Sequence, residues 1–167
     1  MKSGADTRRF FGVAAVVVLL LDIATKQLAE RMLLHIPPVR VIADWLQLRL
    51  VYNQGAAFGL HLGAWSRWIF IAIAIGAVVM LYRLSRDSPA ADWVRHLACG
   101  LVVGGAVGNL VDRVRSAQGV VDFIDAGIGT LRWPTFNIAD MGVTIGAIVL
   151  AISLWVEDAR IRAKAAG

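Results

Sequence analysis

Apolar residues crowd into four stretches that carry no formal charge: Phe10 to Leu21, Trp68 to Tyr82, His96 to Val111 and Met141 to Val156. None alone reaches the ~18 apolar residues that mark a membrane-spanning helix. The first gets there by running through Asp22 to Leu28, the third by including Asp112, and the fourth by starting near Asn137 and passing Asp140. Three of the four predicted spans therefore carry a carboxylate inside or at the rim of the bilayer, where ionisable groups are costly and usually functional. The pattern predicts helices over about 10–30, 66–84, 95–114 and 137–157, with long loops at 34–65 and 115–136 on the same side.

In the first of these loops Leu46, Leu48, Leu50 and Tyr52 alternate with Gln47, Arg49 and Val51, the period of a half-buried strand. It stops at Asn53-Gln54-Gly55, a turn signal. The second loop holds Gly119 and then the short β-prone segment 120–124. The expected fold is an all-α membrane protein: one integral membrane domain over 1–167, a four-helix transmembrane bundle carrying a small extracytoplasmic β-sheet and a periplasmic loop or helix.

Composition supports the membrane and removes several alternatives. The 167 residues are 58% hydrophobic, and mean hydropathy is +0.67, above the roughly half-apolar make-up of a soluble domain. Seventeen Lys+Arg against twelve Asp+Glu give +5, which in a polar protein would suggest nucleic acid. Here too little polar surface remains for a phosphate-binding stripe, so the excess reads as membrane-flanking charge and no nucleic-acid partner is expected. The lone Cys99 lies in an apolar run and cannot form an internal disulfide. Lys2, Arg8 and Arg9 before an apolar run outline a signal peptide, but Asp22 and Lys26 follow in place of a small-residue cleavage box. A retained first helix is the reading.

Four spans place both termini on one side and nearly every unusual polar residue on the other. The tails with loop 83–95 hold nine Lys+Arg and the opposite side eight, a small bias toward cytoplasmic termini under the positive-inside rule. At about 1.5 Å rise per residue, Phe10 to Asp22, His96 to Asp112 and Asp140 to Trp155 cover roughly 18, 24 and 22 Å of a hydrocarbon core of about 30 Å. The three carboxylates then sit near one level, beneath the outer surface.

Asp22 and Lys26, at i and i+4, share a helix face and can pair. Gly100, Gly104 and Gly108, with Gly105, and then Gly142 and Gly146, are spaced for close helix packing. Asn-x-x-Asp occurs twice, as Asn109 with Asp112 and as Asn137 with Asp140. The second copy suits helix capping as well as chemistry, since Asn at the N-cap with an acid three residues on resembles a capping box. Asp122 lies between Val121 and Phe123, neighbours that desolvate a carboxyl and raise its pKa. Asp112 precedes Arg113 and Arg115, cations that keep it ionised and suit it to architecture. There is no His-Glu-x-x-His and no Gly-x-Ser-x-Gly, so zinc-protease and serine-elbow sites lack support. A serine nucleophile activated by lysine would use Ser116 and Lys26. A transporter using the same acids would spread them through the membrane's depth, often on inverted repeats, and none is present.

Five segments in order, Asp22-x-x-Thr-Lys26, Asn53-x-Gly-Ala-Ala-Phe58, Gly104-Gly-Ala-x-Gly-Asn109-x-x-Asp112-Arg113, Val120-Val-Asp122-Phe123 and Phe136-Asn137-x-Ala-Asp140, resemble the lipoprotein (type II) signal peptidases of bacteria. The resemblance implies an aspartic endopeptidase of the inner membrane, multi-pass, with cytoplasmic termini and a periplasmic β-cradle. Its implied substrate is a prolipoprotein whose lipobox cysteine carries a diacylglyceryl group, cut just before that cysteine. By the family pattern Asp122 and Asp140 form the catalytic dyad. Asp22, Lys26, Asn53, Gly55, Asn109, Asp112, Arg113 and Asn137 would support it or hold substrate. No metal or cofactor is implied; membrane lipids are partners, the chain is expected to act as a monomer, and globomycin is expected to block the dyad.

Overall fold

The computed structural model describes residues 7–55 and 63–166. Four long helices run through it: α1 (Arg9–Leu33), α2 (Ser66–Asp87), α3 (Trp93–Arg115) and α4 (Ile138–Ala166). All four are long and apolar enough to cross a membrane. The least apolar of them, α3, is more than half buried by its neighbours, whereas the others are mostly exposed on the outside of the bundle. It is the axis on which α1, α2 and α4 pack. The expected glycine stripe explains how: Gly100 and Gly104 abut α1, Gly105 abuts α4, and Gly146 of α4 returns against α3.

Local chemistry sets the helix ends. α2 stops at Ser88, which is extended (ψ 152°) because Pro89 disfavours helical backbone in the residue before it. The Asp92 side chain then caps α3, accepting the Arg95 N–H at 3.1 Å. α4 continues well past the expected 157. Charge ends a span but not a helix: Ala, Arg and Lys are strong helix formers, and Asp158 pairs with Arg162 at 2.8 Å across one turn.

At one end of the bundle lies a four-stranded antiparallel sheet in the order β1-β2-β3-β4, formed by β1 (Val39–Ile42), β2 (Leu46–Asn53), β3 (Val120–Ile128) and β4 (Leu131–Arg132). Two strands fall where alternation places them, although β3 runs four residues beyond the expected segment. β1 and β4 are additions. Leu48 and Leu50 of β2 pack with Phe123 and Ile124 on Ala29 and Leu33 at the end of α1, which seats the sheet on the bundle. The register brings Val51 opposite Asp122 and Asn53 opposite Val120. Ala56, Ala57 and Phe58 of the second motif, and any further element in 56–62, lie outside the described residues, beyond which a 3-10 turn at Gly63–Trp65 opens α2.

Candidate active site

The Lys26 ammonium is the hub where α1 meets α3. It contacts Asp22 Oδ2 at 2.7 Å, Asp112 Oδ2 at 2.8 Å and Asn109 Oδ1 at 2.9 Å. An ammonium has three donors, and all three are used. Asp22, fully buried, turns its other oxygen to α4 and accepts the Ala139 N–H at 2.9 Å. That amide belongs to the first turn of α4, which has no partner within its own helix and favours an anion. Gly108 makes the approach possible, since a Cβ there would stand 2.5 Å from Asp22 Oδ2. Asp112 also accepts the Val121 N–H at 3.2 Å, which ties β3 to the end of α3.

Asn109 and Asn137 relay this cluster to the other two acids. With Oδ1 occupied by Lys26, Asn109 has its amide orientation fixed and donates through Nδ2 to Asp140 Oδ1 at 2.8 Å. Asn137, fully buried, directs Nδ2 to Asp122 Oδ1 at 2.7 Å, Asn109 Oδ1 at 3.1 Å and the Val121 carbonyl at 3.2 Å. Its Oδ1 accepts the Asp140 N–H at 2.8 Å, and its own N–H donates to Asp140 Oδ2 at 3.2 Å. This is a reciprocal capping box. The capping reading of Asn137 and Asp140 holds, and the same Asn137 side chain also reaches Asp122.

Asp122 receives a second amide from Asn53, whose Nδ2 lies 3.0 Å from Oδ2. The Asn53 Oδ1 accepts the Gly55 N–H at 3.0 Å, and Arg113 donates to the Gly55 carbonyl at 3.0 Å while lying 5.4 Å from the centre of the Phe70 ring. Gly119 fits only as glycine: its φ is +99°, and a Cβ would collide with the Asn53 backbone. Burial, and then the charge of Asp140, push the Asp122 carboxyl up to about 7, against the opposing pull of its two amide partners.

A cleft of about 680 Å³ opens at this end, and Asn53, Gly55, Asn109, Arg113, Asp122 and Asp140 all line it. Asp22, Lys26, Asp112 and Asn137 stand behind that lining, so the ten expected site residues separate into a cleft wall and its support. Ser116 is elsewhere engaged. Its Oγ accepts the Gln118 N–H at 3.1 Å, and Lys26 directs all its donors to two carboxylates and an amide oxygen. The structure sets the serine–lysine alternative aside.

Sequence reasoning missed several participants. Trp133 and Thr144 line the cleft. Arg67 secures the end of α3, donating to the carbonyls of Arg113 at 2.6 Å and Val114 at 2.9 Å. Asp125, also buried, binds Arg132 at 2.7 Å, and Arg132 reaches the Asp44 carbonyl at 2.9 Å, which braces the sheet across its strands. Opposite charges flanking the Gly127–Gly129 turn were the available signal.

A family model described as Signal peptidase (SPase) II matches residues 14–156. The chain belongs to the signal peptidase II family. Among its relatives, the lipoprotein signal peptidase of Hydrogenovibrio crunogenus is 39% identical over 86% of this chain and 84% of its own. That of Streptomyces griseus is 41% identical over 91% and 77%. A solved bacterial membrane enzyme at 2.3 Å superposes with a TM-score of 0.80 at 31% identity, covering 90% of each chain. A second, at 1.9 Å, gives 0.75 at 32%, covering 86% of this chain and 91% of its own. This signal peptidase II family member is therefore a multi-pass membrane protein and a hydrolase of peptide bonds, and the four spans with a small sheet expected from sequence stand.

Proposed function

We propose that the chain removes the signal peptide from diacylglyceryl-modified prolipoproteins by an aspartic mechanism, with Asp122 and Asp140 as the catalytic dyad. The observation that carries this is one cleft lined by two carboxylates whose four oxygens are each held by an N–H donor and, among the described residues, none by an ion pair. Two acids that share a site cannot both ionise easily, so one keeps a proton. Its carboxyl, raised by burial and by the charge of Asp140 to about 7, suits Asp122 to the role of acid, which leaves Asp140 the role of base. Asp140 draws a proton from water as that water attacks the scissile carbonyl, and Asp122 donates its proton to the carbonyl oxygen. Collapse of the tetrahedral intermediate sends the proton on Asp140 to the leaving amine and returns the other to Asp122.

Asn53, Gly55, Asn109 and Arg113 orient the dyad and receive the peptide backbone, while Asp22, Lys26, Asp112 and Asn137 hold the wall in place. The cleft lies at the rim of the spans. There the acyl chains of a lipidated cysteine, anchored in the bilayer, present the bond just before it. The distribution of Lys and Arg supports cytoplasmic termini and a periplasmic cleft in the bacterial inner membrane, and the protein acts as a monomeric, single-domain unit. Globomycin blocks the same cleft.

The test is cleavage of a lipidated prolipoprotein by purified protein. Asp122→Asn and Asp140→Asn each lower turnover by at least about a hundredfold, the usual contribution of a positioned acid or base, with the thermal unfolding transition retained. Wild-type turnover by either variant overturns the dyad.

A further inference from the structure

At the opposite end of the bundle a second groove, about 770 Å³, runs between the start of α3 and the last turns of α4. On α4 it is lined by Val149, Ile152, Val156, Arg160 and Lys164, spaced so that all five share one helix face. Apolar residues therefore line its inner, span-level stretch, and two cations, one turn apart, stand at its outer mouth. Trp93, half exposed, closes the other wall at the level where indoles settle between hydrocarbon and water. From Val149 to Arg160 the helix rises about 16 Å, close to half of a hydrocarbon core about 30 Å thick. The groove is thus one leaflet deep, with its cations at headgroup height.

Its charge is unbalanced. Arg95, in the same wall, is consumed by Asp92 at 3.3 Å and Glu157 at 2.5 Å, and this clip also fixes α4 to the start of α3. Among the described residues, Arg160 and Lys164 have no acidic partner. We propose that this groove binds one anionic phospholipid, its phosphate between Arg160 and Lys164 and an acyl chain along Val156, Ile152 and Val149. The site is independent of the peptidase reading, since no residue in it borders the cleft.

The experiment is native mass spectrometry of the full chain in detergent, titrated with phosphatidylglycerol or phosphatidylcholine. Wild-type protein retains one phosphatidylglycerol in preference to phosphatidylcholine. In Arg160→Gln/Lys164→Gln that preference falls by roughly thirtyfold, the combined effect expected for two near-surface cations. Arg83→Gln/Arg86→Gln, which removes two exposed cations of α2 outside the groove, keeps it. Equal retention of the two lipids, or an equal loss in both double variants, overturns the proposal. So does protection against thermal unfolding by inorganic phosphate that matches the lipid's, or a lipid-free dimer that the Arg160/Lys164 variant abolishes, since that would make a second copy the occupant.

Discussion

Four aspartates gather at the sheet end of the bundle in two pairs with different company. Asp22 and Asp112 share one ammonium, that of Lys26. Among the described residues Asp122 and Asp140 take amide donors and no ion pair, and they face a cleft. Direct pairing with one shared ammonium ties the first two carboxylates to the joint between α1 and α3. Amides fix a carboxyl in position and leave its proton exchangeable. The same residue type is ion-paired behind the cleft in one pair and amide-held within it in the other, the division on which the proposed dyad rests.

The largest expected effect is on the open pair: at least about a hundredfold loss of turnover in Asp122→Asn or Asp140→Asn, with the fold intact. Next comes Lys26→Met, which strands the buried Asp22 carboxylate and the partly buried Asp112 and lowers unfolding stability by about 3–5 kcal/mol, the cost of removing one partner of a buried ion pair. Chemical denaturation in detergent checks it, and unchanged stability would erase the distinction between the pairs. Gly108→Ala, placing a methyl 2.5 Å from Asp22 Oδ2, costs about 1–3 kcal/mol. Its effect should appear in the unfolding midpoint before the cleavage rate.

The most discriminating effect is with pH. As pH rises above about 7, Asp122 loses the proton it must donate, so cleavage falls toward tenfold per unit. Stability follows the same sign. A carboxyl raised from the usual range near 4 binds its proton more tightly when folded. Its stabilisation is complete below about pH 4 and declines as pH climbs through about 7. Thermal unfolding compared at pH 5 and 8 should show the decline, and Asp122→Asn should flatten it.

Much of this was legible from residue pattern. The spans follow from charge-free runs, and the acids announced themselves by standing where a bilayer disfavours charge. What escaped was whatever lacked a periodic environment. β1 is exposed at every position, so no inside–outside alternation marks it, and β4 has only two residues. The capping and chemical readings of Asn137 could not be separated from spacing alone, because both require the same interval to Asp140. Only the position of Val121 and Asp122 across from it joins them. The Asp125–Arg132–Asp44 brace depends on three segments meeting, which no single window of sequence contains.

Asn137 touches both open acids, one through its side chain and the other through its backbone and cap. A single amide is thus the common origin from which both carboxyl positions are measured. Any shift of α4 therefore moves Asp140 and the amide that anchors Asp122 together, so the two acids share one reference point on that helix.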